Sequence, residues 1–234
     1  MTTSGTNLFI NSPYSELLLE SFERIGKKPA EITQQEWASA RRSLNLTLTS
    51  AWGNRVPLLW KVTSQTYNLS QGVYQITLPS NMISVLDAYV SVPNGDGTYS
   101  DLILYSMSRS EYAAIPNKLT QSRPTSYWLD KLITPILNLW QVPDQSSYYT
   151  LTVYMMTSIQ DGDMASGQTA DVHFLFLEAL CAELAAALSL KFAPDKFPLL
   201  KPLAIDAFEK AVEQNREIAP IFIAPQLGAF YGGA

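Results

Sequence analysis

The feature that most constrains this chain is a change of hydrophobic period, from helical to alternating at about Trp60 and back to helical at about Asp171. Apolar residues three and four apart build one face of a helix, whereas strict alternation builds one face of a strand, and a segment cannot satisfy both. The chain therefore divides into helices, a β-rich stretch, and helices again.

The first helix is expected to start at Asn11-Ser12-Pro13, with Ser12 as cap and Pro13 in the first turn, where its missing N–H costs nothing. Tyr14, Leu17, Leu18, Phe22 and Ile25 then recur at helical spacing, and Gly26 ends the run. In the second helix Thr33 and Glu36 have the spacing of a capping box, with Ile32 and Trp37 placed to staple across the cap. Its apolar stripe is Trp37, Ala40, Leu44, Leu48, Ala51 and Trp52, and Gly53 closes it.

From Trp60 to Ile159 short alternating β-prone runs are broken by Gly and Pro, the pattern of antiparallel strands. Tyr67-Asn68-Leu69 and Tyr74 to Leu78 flank Ser70-Gln71-Gly72 and are predicted to form a hairpin. Val85 to Val92 and Leu102 to Tyr105 flank Pro93-Asn94-Gly95-Asp96-Gly97, a second hairpin whose tip is rich in residues that accept positive φ. Ser108 to Ile115 reads as a brief helix capped by Ser108 with Glu111. The remaining strands are Ser126 to Leu129, Ile136 to Trp140 and Tyr148 to Ile159.

A linker from Asp161 to Gln168 leads to a third helix, Asp171 to Phe192, apolar nearly all round and so expected at the buried centre. Pro194 stops it. A fourth helix runs from Pro198 to Ile218, with Asp206 and Lys210 four apart on a solvated face, and Pro220 ends it. The expected fold class is α+β: a four-helix bundle interrupted by a β-rich antiparallel insert domain, with an extended C-terminal tail. The expected units are residues 1–56 (helices one and two), 57–160 (the insert), 161–218 (helices three and four) and 219–234 (the tail).

Charged residues make up only 16% of the chain, against roughly 25% in an average domain. The surface is correspondingly rich in uncharged polar groups, which cost less to bury against another protein than ions do. A net charge of −5 argues against an electrostatic nucleic-acid binder, which works by neutralising phosphates with Lys and Arg. It is compatible with a lumen through which DNA slides without sticking. The single cysteine, Cys181, excludes an intramolecular disulfide framework. Met1 to Ile10 lacks the basic and apolar regions of a signal peptide. Val172 to Ala193 carries Glu178 and Glu183 near its middle, so it reads as a core helix and not a membrane span.

Chemistry finds few parts here. With one histidine, His173, most metal sites and catalytic triads are incomplete, and at the start of an apolar helix it reads as a core or capping residue. Cys181 has no local basic residue to lower its pKa. Glu178 and Glu183 lie about 140° apart round a helix and do not face one another. Glu209 and Glu213 share a face that reads as solvated, and Asp161-Gly162-Asp163 lacks the further acids of a calcium loop. Neither a phosphate-cradling GxxxxGK[ST] nor a dinucleotide GxGxxG is present, and no cofactor is expected. Trp37, Trp52, Trp60, Trp128 and Trp140 suit stacking platforms for nucleic acid or sugar, but their positions at caps, strand starts and turns read as core and interface anchors.

Several short segments, in order, resemble a known family. They are Leu44-Asn45-Leu46 leading to Trp52, Leu59-Trp60, Gly72-Val73-Tyr74, Arg123-Pro124 before Tyr127, Leu137-Asn138-Leu139-Trp140 with Pro143, Glu178-Ala179-Leu180 and Leu184-Ala185. Together, over about Ser12 to Phe192, they resemble the head-to-tail adaptor, or tail accessory factor, of short-tailed bacteriophages. The chain departs from that pattern at Gln141, where many relatives carry proline, and at His173-Phe174, where a basic residue and tryptophan are expected; its insert is also long. The resemblance implies a structural, non-enzymatic virion protein, assembled in the host cytoplasm, that forms a dodecameric ring beneath the portal protein. It further implies partners in the portal, other copies of the chain and distal tail nozzle or fibre proteins. Double-stranded DNA would pass through the channel without specific binding, and no membrane is involved.

The last segment points to a partner independently. Ala219 to Ala234 contains no charged side chain, and Ile221, Phe222, Ile223, Leu227, Phe230 and Tyr231 are apolar or aromatic. Left loose, such a segment is sticky and strand-prone. It is expected to dock in extended form on the portal or a neighbouring subunit, against the alternative that it packs back on its own bundle. The chain is expected to be a monomer in isolation and to form a ring only on a portal template. Two other functions are weighed: a tail-associated peptidoglycan hydrolase using Glu178, Glu209 or Asp161, and a carbohydrate-binding β module using Trp128 or Trp140.

Overall fold

A computed structural model describes residues 13–50, 58–162 and 169–216. The described residues form five α-helices and eight strands in mixed α+β order: two helices, an insert of two sheets with one short helix, then two helices. The long helices are α1 (Tyr14–Arg24), α2 (Gln34–Thr49), α4 (Leu177–Phe192) and α5 (Phe197–Gln214); the short α3 (Arg109–Ala114) belongs to the insert.

Local chemistry sets the helix ends. Pro13 is extended and occupies the cap of α1 instead of its first turn, so the helix starts at Tyr14; Ser12 lies outside the described residues. At the other end Gly26 adopts φ +85°, a left-handed conformation that glycine reaches without steric cost. The Gly26 N–H donates to Glu23 O at 2.8 Å and the Lys27 N–H to Phe22 O at 3.0 Å, a Schellman closure of the helix. In α2 the Glu36 N–H donates to Thr33 Oγ1 at 3.3 Å, while the Thr33 N–H donates back to Glu36 Oε2 at 2.9 Å, the reciprocal box expected from the spacing. Ala51, Trp52 and Gly53 lie outside the described residues.

The third long helix starts later than the expected Asp171. A 3₁₀ turn covers Phe174–Phe176, and α4 begins at Leu177. Residues before the turn are held instead by longer-range bonds: the Asp171 carboxylate accepts from Lys61 Nζ at 2.6 Å and from the Gln160 N–H at 3.0 Å. Ten of the sixteen residues of α4 are buried, and it packs against α1, α2 and α5. Leu180, Leu184 and Leu188 meet Leu18, Phe22 and Leu44 in one core, while Ala182 and Ala186 cluster with Ala204 of α5, where small side chains permit a close approach. The last long helix runs from Phe197, one residue before Pro198, to Gln214; residues 217–234, including the C-terminal tail, lie outside the described residues.

In the insert, β1 (Val62–Asn68), β8 (Thr150–Thr157), β3 (Met82–Pro93) and β4 (Tyr99–Ile103) form one antiparallel sheet in that order. The second sheet runs β2 (Gln75–Thr77), β7 (Ile136–Trp140), β6 (Ser126–Asp130), β5 (Tyr105–Met107). The β3–β4 hairpin closes at the expected turn, with the Asn94 N–H donating to Thr98 O at 2.9 Å, but its second strand is Tyr99–Ile103 and not Leu102 to Tyr105, since Tyr105 opens β5 in the other sheet. Two further expectations are corrected. The runs around Ser70-Gln71-Gly72 are not a hairpin, because β1 pairs with β8 and β2 pairs with β7 in the other sheet. The turn does form, with Gly72 at φ +77°, but its N–H groups bond across to a distant loop, Gly72 to Pro143 O at 3.0 Å and Gln71 to Ser146 Oγ at 3.0 Å. It thus carries the chain from one sheet to the other. Nor is the insert wholly antiparallel: β5 and β6 pair in parallel, joined by a crossover that contains α3.

The two sheets share one core, to which β8 contributes Leu151, Val153 and Met155 and β7 contributes Leu137 and Leu139. Met156 points from the opposite face of β8 into the helical core, as the two-residue period of a strand requires. Ile83 of β3 packs on the helical core as well, while Met82, Ala88 and Val90 of the same strand lie in the sheet core, so neighbouring strands fasten the two cores together. Polar bonds reinforce this joint: Thr157 Oγ1 donates to Lys61 O at 3.1 Å, the Asp171 N–H donates to the Tyr14 hydroxyl at 3.2 Å, and the Gly162 N–H donates to Asn45 Oδ1 at 2.8 Å. The Trp60 ring lies 4.8 Å from that of Phe176, which in turn lies 5.9 Å from Phe208.

Candidate functional site

Glu178, Glu183, His173 and Cys181, which suggested chemistry, are engaged in the fold. The Arg24 guanidinium donates to both Glu178 oxygens, at 2.9 and 2.7 Å, and holds that carboxyl below the usual carboxylate range. Glu183 accepts from Lys201 Nζ at 2.5 and 2.8 Å. The two acids of α4 thus face different helices, α1 and α5, and are not a catalytic pair. Glu209 and Glu213 are exposed on α5, and Asp161 is exposed beside the joint. His173 accepts the Leu175 N–H on Nδ1 at 3.5 Å and lies 5.6 Å from the Trp60 ring, so it caps the 3₁₀ turn and packs. Among the described residues no group of three or more His, Cys, Asp or Glu is placed to hold a metal ion. No helix among them is long and apolar enough to cross a membrane.

Cys181 lies inside the helical core, its Sγ 3.8 Å from Leu17 O. Burial pushes its thiol up to about 11, so at neutral pH it is protonated and shielded. A disulfide-exchange reagent at pH 8 is expected to label native Cys181 on the order of 100-fold more slowly than the urea-unfolded chain, because reaction must await local opening. Equal rates in the two states would place the thiol at the surface.

The tryptophans are likewise committed to packing. Trp37 meets Phe22 edge-on at 5.8 Å, and Trp128 stacks on Tyr112 of α3 at 5.1 Å. The ring of Trp128 is thus covered by the chain's own helix. Trp140 is half-buried on β7, and Trp52 lies outside the described residues.

Among the exposed apolar residues of the described surface, three groups stand out. On α5, Leu199 and Leu203 are four residues apart and 67% and 54% exposed, on the side away from the buried Ala204, Phe208 and Ala211. At the β3–β4 hairpin and the segment after it, Tyr99, Ile103 and Tyr105 stand out. At the β6–β7 tip Leu132 is exposed and Ile133 is 94% exposed. Single exposed apolar residues are ordinary, but grouped ones mark interaction surfaces. None of these residues was singled out from the sequence. A helical projection of α5 shows the signal, since Leu199 and Leu203 fall off the buried stripe. Ile133 carries no such pattern. The six tail residues that were singled out, Ile221, Phe222, Ile223, Leu227, Phe230 and Tyr231, lie outside the described residues.

The described residues thus form a helical core joined to a two-sheet insert, with apolar groups presented outward. The model of the SU10 adaptor protein family matches residues 12–217 of the chain, and the chain belongs to that family. It is a bacteriophage structural adaptor, a virion protein that interacts with portal and tail components. No curated protein matches it.

Proposed function

We propose that this adaptor forms a ring of twelve copies beneath the portal, joins capsid to tail and lines the channel through which DNA is ejected. In this reading α1, α2, α4 and α5 form a four-helix bundle directed toward the channel and the portal. The insert faces outward and downward to receive a nozzle or fibre protein. Mechanism here is preorganised surface and not chemistry, with Glu178 and Glu183 held in ion pairs. The net charge of −5 suits passage of DNA without specific binding.

The observation that carries this reading is the apolar stripe Leu199–Leu203 on the same helix that leads to Ala219–Ala234, sixteen residues without a charge. Helix and tail together supply the anchor for the portal or for a neighbouring copy, with Ile221, Phe222, Ile223, Leu227, Phe230 and Tyr231 as the contact residues. Sedimentation velocity of the chain alone and mixed with the portal ring of the same phage tests it. The expected result is a monomer alone, complete co-sedimentation with the portal, and loss of co-sedimentation when residues 219–234 are removed. A full-length chain that ignores the portal contradicts the reading, and a truncated chain that still binds removes the tail from it.

A further inference from the structure

Charge in the insert is segregated between its two layers. Apart from Lys61, which precedes β1 and is paired with Asp171, the Lys and Arg residues of the insert, Arg109, Lys118, Arg123 and Lys131, fall between α3 and the β6–β7 tip. The sheet β1-β8-β3-β4 and its hairpin turn contain none, and carry Asp87, Asp96 and Asp101. The register places two of these acids on one outward face. Asp101 pairs with Ser91 and Asp87 with Tyr154, while the alternate positions Ala88, Val90, Leu151 and Val153 point into the core. Ile103 and Tyr99 share that face, opposite Tyr89 and Pro93 in the register.

The cationic side belongs to the other layer. There α3 packs on β6 through the Tyr112–Trp128 stack. β5 and β6 run parallel, with Met107 opposite Trp128, so the chain leaves β5 toward Arg109 and α3 in the same direction in which β6 leads to Lys131 and the exposed Leu132-Ile133 tip. This layer keeps a net charge of about +1 once Glu111, Asp130 and Asp144 are set against Arg109, Lys118, Arg123 and Lys131. Among the described residues, Asp87, Asp96, Asp101, Arg109, Arg123 and Lys131 take part in no ion pair. One layer therefore presents carboxylates around Tyr99 and Ile103, and the opposite layer presents cations along α3 and β6, with Lys131 beside the exposed Leu132 and Ile133.

We propose that the acidic face of one copy docks on the cationic side of the next, so that the insert carries a head-to-tail contact between copies of this chain. The two patches lie on opposite layers of one sandwich, so the contact is heterologous, the type that generates rings when its rotation closes. Apolar groups at the centre supply area and the flanking charges set orientation and partner choice. This rests on the ring reading above and names a surface that builds it.

The test uses two full-length variants: Asp87→Lys with Asp101→Lys, which makes both sides cationic, and Arg109→Glu with Lys131→Glu, which makes both acidic. All substituted positions are exposed, and unchanged thermal melts confirm folding. Each variant, mixed with the portal ring and read by native mass spectrometry, is expected to form at least about tenfold less complete ring than the wild type, since like charges then face one another. An equimolar mixture of the two is expected to restore the ring, with the variants alternating, which an even number of copies allows. Variants that assemble singly as well as the wild type overturn the proposal and leave the ring reading intact. A mixture that stays unassembled also overturns it. A wild type that forms no ring on the portal overturns both.

Discussion

Phe176→Ala is expected to lower the unfolding free energy by about 4 kcal/mol, the cost of deleting a fully buried phenyl ring and leaving a cavity that its neighbours only partly fill. The ring is 0% exposed and sits at the meeting point of three segments, with Trp60 of the insert's first turn at 4.8 Å and Phe208 of α5 at 5.9 Å. Neither neighbour can move in without breaking its own contacts, because Trp60 is tied to the strand start and Phe208 to a packed helix face. A domain's whole stability is on the order of 5–15 kcal/mol, so the variant loses a large share of it. Urea denaturation followed by tryptophan fluorescence gives the number. A loss under about 1.5 kcal/mol would mean that the site collapses freely and that the joint around Trp60 is looser than its geometry implies.

Asp171→Ala is expected to cost about 3 kcal/mol, near the lower bound for breaking a buried pair because the Asp171 side chain is 28% exposed. The carboxylate serves two donors that nothing else in the joint replaces, the Lys61 ammonium at 2.6 Å and the Gln160 N–H at 3.0 Å. Lys61 is only 13% exposed, so removing its partner leaves a largely desolvated charge, and that is the larger part of the penalty. Asp171→Asn keeps an acceptor oxygen and is expected to cost roughly half as much. Combining Lys61→Met with Asp171→Leu removes both charges and should recover most of the loss. If the double variant is as unstable as Asp171→Ala, the Gln160 contact and not the ion pair holds the joint.

The helices were legible because their signals are local. The Thr33 and Glu36 box, the Ser108 and Glu111 box, and the glycine at position 26 act within a few residues of themselves, and apolar residues nearly all round it identified α4 as the buried centre. The β3–β4 hairpin was legible for the same reason, since its turn chemistry lies between its own strands. Strand pairing across the insert was not, because alternation specifies a strand and its buried face but not its partner. The partner of β1 is β8, more than eighty positions away, and the three-residue β5 pairs in parallel only because α3 turns the chain back. The start of the third long helix was misread for a related reason. Asp171 looks like a helix-start residue, but its carboxylate is bonded to a lysine 110 residues away. The proposed docking surfaces divide in the same manner. The charge-free tail shows in composition, whereas the opposition of Asp101 to Arg109 and Lys131 exists only once two sheets have been stacked.

The most direct measurement is native mass spectrometry of the chain bound to the portal ring of its own phage. One species with twelve copies of the chain per portal ring, formed from a chain that is monomeric alone, is the result expected of a portal-templated adaptor. A chain that stays monomeric beside the portal, or that binds it without forming a closed ring, would contradict the adaptor ring.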